Sequence, residues 1–339
     1  MRTSIRLNND LTTTALIDVA IAAEEAGFDQ LWVSNDLMYR SAPVLLGALA
    51  RETSRIGLGV GIVNPYSMHP AEIAMMAATM QEASSGRFLL GLAAGAGDFL
   101  SWLGIAQDKP LTMVRESLRA IRGLMAGEKP VAIEGAGAGW TDDAWLRFAA
   151  TPAPVYLGAM SPRMVRLAGA EADGLLGLAF PPEHFATVRD EARAGAAAVG
   201  RDPAELDTPA CFWVSVDDDV RVAELALGEK LAYYGPAFSP YLLERAGLSV
   251  ADFAEVQHAL DTDGLAAAAR LVTPQMLALG IAGDAATVVE RCRGLIALGA
   301  DHLSFGPPLG DDPVAAVQLL GSAVLPHLKG LPVLKGQPL

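Results

Sequence analysis

Residues 56–97, IGLGVGIVNPYSMHPAEIAMMAATMQEASSGRFLLGLAAGAG, constrain the fold more than any other stretch. An apolar run of strand length leads into a loop broken by Pro65 and Pro70. An Ala- and Met-rich helical segment follows, then a Ser85-Gly86-Arg87 turn and a second apolar run. Two buried strands joined through a helix lie parallel, because a parallel pair needs a long crossover. In parallel α/β proteins, ligands sit in the loops at the carboxyl ends of strands. The polar, kinked loop Asn64–Pro70 therefore marks a site as well as a fold.

The same rhythm runs through the chain. Strands are expected at 4–7, 30–33, 56–62, 88–92, 154–159, 174–178, 210–216 and 302–305. Helices are expected at 12–26, 43–53, 70–84, 111–126, 162–171, 183–199, 285–298 and 313–327. Gly27 and Gly127 supply stops, and Pro43 and Pro70 suit first helical turns. Residues 128–150, with Gly135, Gly137, Gly139, Trp140 and Trp145, read as an extended or hairpin insertion. Residues 217–282 read as a mostly helical insertion. Eight strands and eight helices with short linkers predict one α/β domain over 1–330, a (β/α)8 TIM barrel, followed by a tail at 331–339. An open doubly wound sheet is the alternative. A hydrophobic content of 52% against 19% charged residues supplies the large core that either fold needs.

A net charge of −14 disfavours nucleic acid, whose phosphates require clustered Lys and Arg. No apolar run reads as a membrane span and MRTSIRLNND lacks a signal-peptide core, so a cytoplasmic protein is expected. Cys211 and Cys292 match no metal or redox spacing, and no metal site is expected.

Four loops at strand ends would cluster on one face: 34–42, 63–70, 93–102 and 158–164. In the last, Gly158 and Ala159 allow close approach to the backbone. Ser161 and the following helix start offer donors that suit a phosphate, or form an ordinary helix cap. Gly57, Gly59 and Gly61 leave one strand face bare, either for a flat ring or for tight interior packing. His69 reads as a turn residue. His302 shows no sequence neighbour suggesting a metal site or triad.

The run Val63-Asn64-Pro65-Tyr66 … Pro70 … Ser85-Gly86-Arg87-Phe88 … Leu90-Gly91-Leu92 resembles the luciferase-like superfamily. Its branch containing methylenetetrahydromethanopterin reductase, which uses the deazaflavin coenzyme F-420, is the nearer likeness. Trp32-Val33-Ser34, Val155-Tyr156-Leu157-Gly158-Ala159 and Gly306-Pro307-Pro308-Leu309-Gly310 extend it along the chain. The resemblance implies a luciferase-like barrel with a bulged third strand holding a non-prolyl cis peptide, here Gly61–Ile62. It implies that Asn35, Gly61, Ile62 and Asn64 meet the coenzyme. Ala94 and Gly95 would line its ribityl side, and Gly158, Ala159, Ser161 and Met164 would hold its phosphate. Arg40 and Arg163 would meet its acidic tail. A homodimer is also implied.

The chain departs from that branch where acids are expected. Arg6 stands on the first strand, Asn35-Asp36 follows the second, and Ala96 follows the fourth, with Asp98 two residues on. Asp36 is the expected proton donor, with Asp98 as the second candidate. Arg6 would meet an anionic substrate or the coenzyme, or pair with Asp36. The expected function is hydride transfer between coenzyme F-420 and a small organic substrate. The alternatives are an FMN-dependent monooxygenase of the same fold and a non-catalytic deazaflavin-binding protein.

Overall fold

The computed structural model describes residues 1–235, 238 and 240–331. Most of the 331–339 tail, and Pro236, Ala237 and Ser239 of the insertion, lie outside the described residues. The chain alternates from β1 (Arg2–Leu7) and α1 (Thr13–Ala26) to β2 (Gln30–Val33), α2 (Ala42–Glu52), β3 (Gly57–Val63) and α3 (Pro70–Ala83). Next come β4 (Phe88–Leu92), α4 (Gly97–Trp102), α5 (Pro110–Met125), β5 (Val155–Gly158), α6 (Pro162–Glu171), β6 (Gly174–Leu176) and α7 (Phe185–Ala198). After β7 (Ala210–Val216) come five helices: α8 (Val220–Tyr234), α9 (Pro240–Arg245), α10 (Ala254–Thr262), α11 (Leu265–Ala269) and α12 (Pro274–Leu277). The chain then returns through β8 (Ile281–Gly283), α13 (Ala285–Ala297), β9 (His302–Leu309) and α14 (Pro313–Leu319).

The strands pair in parallel in the order β6-β5-β4-β3-β2-β1-β9-β7-β8. Parallel bridges from Gly174 to Asp207 and from Leu178 to Cys211 carry β6 onto the segment that becomes β7. The sheet thereby closes as an eight-stranded barrel, and the open-sheet alternative falls. β8 only flanks the carboxyl end of β7, at Val214–Val216.

Three local expectations are corrected. β8 falls inside the stretch read as helical, because three residues are too few for a periodic signal. Residues 128–150 form one short turn of helix at Pro130–Ala132 and otherwise turns, with no strand. Gly135, Gly137 and Gly139 hold φ of +73°, +86° and +91°, which no regular hairpin arm sustains. The final helix is regular only to Leu319, then widens into a π turn at Leu320–Val324, where Gly321 lies against Ala26.

The main core fills the layer between strands and outer helices, with Ile5, Leu31, Val60, Leu90, Leu157 and Phe305 fully buried. A second core, with Leu227, Leu231, Phe253 and Met276, lies under α8–α12 and reaches the barrel rim through Phe180 and Trp213. Inside the barrel, a Cβ on Gly59 would stand 2.2 Å from the Trp32 ring. The flat ring over this strand is the protein's own indole, so at Gly59 the tight-packing reading holds.

Candidate active site

β3 ends in a bulge. Its register against β4 shifts between Val60 and Val63, and the Gly61–Ile62 peptide is cis, as expected. A Cβ added to Gly91 or to Gly158 would lie 3.1 Å from Ile62 Cγ2. Small residues on β4 and β5 thus make room for the bulged side chain.

Asn64 follows the bulge and is buried. Its Oδ1 accepts from Tyr66 N (3.1 Å), Ser67 N (2.9 Å) and Ser67 Oγ (3.1 Å), which fixes the Pro-containing loop. Its amide lies against Gly95, whose φ of +78° and lack of a side chain permit the approach. Nδ2 has no protein partner among the described residues. Gln107 Nε2 donates to both Ala94 O and Gly95 O at 2.9 Å, pinning this stretch of backbone. His69 Nδ1 accepts from Ala71 N (3.2 Å) as the cap of α3, in keeping with the turn reading.

Gly158, Ala159, Met160 and Ser161 form the β5–α6 loop. Ser161 occupies the N-cap position of α6 but makes no capping bond, so its exposed hydroxyl is unspent. The free amides of the first helical turn point the same way. Met164 packs its side chain into the core, leaving only its backbone N–H for a ligand.

The β2 loop is built around Asn9, which is fully buried. Asn9 Nδ2 donates to Asp36 O (2.9 Å) and Arg40 O (2.7 Å), and its Oδ1 accepts from Ser34 Oγ (3.0 Å). Ser34 Oγ also lies 3.1 Å from Asp36 Oδ2. Burial raises the Asp36 carboxyl above its ordinary value and nearby Asp10 adds to this, while Ser34 and Lys230 oppose it. Asn35 Oδ1 accepts from Ala42 N (3.1 Å) and serves the start of α2. Asp98 sits exposed on the first turn of α4.

Arg6 points into the barrel from β1. Its Nε donates to Ser304 Oγ (3.1 Å) and its Nη2 to Phe212 O (2.8 Å). Gly306 leaves space for this guanidinium, since a Cβ there would lie 2.4 Å from Nη2. No ion pair joins Arg6 to Asp36 among the described residues, so that expected pairing is absent. Lys230 of α8 was not singled out from the sequence. Its Nζ lies 3.4 Å from Asn8 Oδ1, 4.5 Å from the Tyr234 ring centre and 5.2 Å from that of Trp213. Burial pushes its ammonium down to about 8, against the pull of Asp10 and Asp36. The available signal was a lysine inside the apolar stripe Leu227, Leu231, Tyr234 of an amphipathic helix.

At the opposite end of the barrel, His302 Nδ1 lies 3.0 Å from Asp207 Oδ1 and its Nε2 lies 2.9 Å from Ser4 Oγ. The arrangement resembles a triad, whose members lie too far apart along the chain to read as one. It sits at the amino ends of β1 and β9, and Ser4 has no exposed surface, so it serves the interior. Among the described residues no cluster of three or more His, Cys, Asp or Glu could hold a metal, and no helix is long and apolar enough to cross a membrane.

Residues 3–302 match the luciferase-like monooxygenase family. A 5,10-methylenetetrahydromethanopterin reductase of Methanolobus tindarius is 33% identical over 305 residues, 89% of this chain and 93% of that protein. An F-420-dependent glucose-6-phosphate dehydrogenase of Nakamurella multipartita is 34% identical over 334 residues, 93% of each chain. The solved structure of the coenzyme F-420-dependent tetrahydromethanopterin reductase from Methanopyrus kandleri superposes with a TM-score of 0.89 at 29% identity, covering 97% of this chain and 99% of that one. The family match, together with this likeness along nearly the whole chain, places the protein in the luciferase-like monooxygenase family.

Proposed function

We propose that the chain is a coenzyme F-420-dependent oxidoreductase acting on a small organic substrate, with Asp36 as its acid–base group. The observation that carries the reading is one rim holding both unspent donors and the half-buried Asp36, whose carboxyl burial raises above its ordinary value. The relatives named above, reductase and dehydrogenase alike, support a redox role linked to this coenzyme.

The residues present fit such a ligand. Asn64 has spent its acceptor on its own loop and keeps Nδ2 for a ligand. Gly95 and Gly158 carry no side chain at the loop backbone, and the Ser161 hydroxyl is uncapped. Asn64 and the Ala94–Gly95 backbone would hold the ring side. Gly158, Ala159, Ser161 and the Met164 amide would hold the phosphate. The coenzyme, when bound, donates or accepts a hydride. Reducing a C=O or C=N bond also requires a proton on the heteroatom, and Asp36, whose carboxyl burial raises above its ordinary value and whose Oδ2 lies 3.1 Å from Ser34 Oγ, would supply it. Asn9 fixes that carboxyl by donating to the Asp36 carbonyl and accepting from the Asp36 amide.

Equilibrium titration with coenzyme F-420 and, separately, with FMN tests the proposal. Micromolar binding of the deazaflavin is expected, with Asn64→Ala weakening it about 10-fold. Tight FMN binding without deazaflavin affinity overturns the coenzyme assignment. Deazaflavin binding with no turnover against carbonyl, imine or pterin acceptors overturns the catalytic one.

A further inference from the structure

Arg6 and Lys230 are two cations inside one rim that the hydride-transfer machinery does not use. We propose that they form a subsite for an oxyanionic group, carboxylate or phosphate, carried by the substrate. The proposal rests on the redox reading above for the word substrate, but the site itself stands on its own geometry.

Neither cation has an ion-pair partner among the described residues, in a protein whose net charge is −14. Arg6 spends Nε and Nη2 on neutral oxygens of β9 and β7. Its Nη1 has no partner among the described residues, and burial lowers the guanidinium from its ordinary value. Lys230 has one long contact, to the Asn8 amide, and two aromatic faces. Desolvating a cation costs several kcal/mol unless an anion or good acceptors compensate. The lowered value of Lys230 reflects that uncompensated cost, and Arg6 contributes to it by repulsion. Asp36 and Asp10 attract Lys230 without contacting it. Asp36 lies out of contact with Lys230, and burial raises its carboxyl above its ordinary value, which weakens it as a counter-charge.

The position separates this subsite from the β5–α6 loop. Around the closed barrel, β1 stands four strands from β5 in either direction. An anion gripped by Arg6 therefore lies across the mouth from Ser161. A substrate held between the two halves would place its oxyanion at Arg6 and Lys230 and its reducible group beside Asp36. The unspent Nη1 of Arg6 offers its N–H donors to an oxyanion, and an ammonium over aromatic faces closes the other side.

The test is calorimetric titration of the protein, with and without coenzyme F-420, using inorganic phosphate and propionate at constant ionic strength. Saturable binding of at least one is expected, and a stronger response to one of them assigns the group as phosphoryl or carboxyl. Lys230→Met should weaken it 10-fold or more while changing deazaflavin affinity less than twofold. Arg6→Lys, which keeps the charge and loses the Nη1 donors, should weaken it measurably but by less than Lys230→Met does. No saturable binding of either anion, or equal binding by wild type and Lys230→Met, overturns the subsite. Failure to bind coenzyme F-420 at all, with anion binding intact, overturns the redox reading and leaves the subsite standing.

Discussion

The hydroxyl of Ser34 has one proton and two acceptors in reach, Asn9 Oδ1 and Asp36 Oδ2. With Asp36 neutral, its O–H donates to Ser34 Oγ, which donates on to Asn9, and every group is satisfied. With Asp36 ionised, Ser34 must turn to the carboxylate and Asn9 Oδ1 keeps only the 3.3 Å contact from Asp36 N. Ser34 thereby supports the carboxylate, but burial is the larger effect and raises the Asp36 carboxyl above its ordinary value. The folded state therefore binds that proton more tightly than the unfolded chain. The stability it contributes is present below the unfolded value and is lost as pH rises through the raised one. In the reductive direction, kcat/KM should fall as pH rises through that same raised value. Asp36→Asn should remove this limb of the pH profile and cost about 100- to 10,000-fold in rate, measured by deazaflavin oxidation. A profile unchanged by the substitution would assign the proton elsewhere, with Asp98 next to be tested.

At the scale of elements, α6 and α7 approach so closely that their glycines are obligatory. A Cβ on Gly169 would stand 1.9 Å from Ala192 O, and one on Gly195 would stand 2.2 Å from Arg166 O. Backbone is the obstacle at both positions, so the helices would have to move apart. Gly169→Ala should destabilise by about 1–3 kcal/mol, read from urea unfolding midpoints. Because α6 carries Ser161 at its start, the same variant should also weaken deazaflavin binding. The sequence AGA at 168–170 shows a small residue in a helix, which is legible. That the neighbour is a carbonyl of α7 is not legible, since it depends on how two helices cross. Likewise the resemblance implies that Asn35 meets the coenzyme, and only the structure shows its oxygen engaged by the α2 start.

Across the whole molecule, a buried polar string runs through the barrel from one end to the other. Arg2 and Tyr156 meet Asp207, which meets His302, then Ser4, Ser304 and finally Arg6. Burial alone would raise the Asp207 carboxyl, yet His302, Arg2 and the Tyr156 hydroxyl together bring it down to about 2. A lowered carboxylate contributes stability above its unfolded value, and loses it as pH falls from about 4 through about 2. The contribution is about 2 kcal/mol. Thermal midpoints should therefore drop more steeply for wild type than for Asp207→Asn between pH 5 and pH 2. Parallel slopes would show that acid acts elsewhere. The string also couples the structural end of the barrel to the guanidinium at the mouth, since Ser304 touches both Ser4 and Arg6.

The sequence by itself determined the alternation of strand and helix, and with it a parallel α/β fold. Both follow from local periodicity and from Gly and Pro punctuation, which are properties of neighbours along the chain. It also marked the loops after β2, β3, β4 and β5, because a parallel strand's carboxyl end can be located without coordinates. Tertiary structure alone decided what fills the barrel. It laid Trp32 over Gly59, turned Arg6 away from Asp36, and brought Lys230 to the mouth from a helix more than 200 residues away in the chain. It drew Asp207, His302 and Ser4 into one string. Such contacts depend on which strands become neighbours when the sheet closes, and on the burial that closure imposes. No window of sequence contains either.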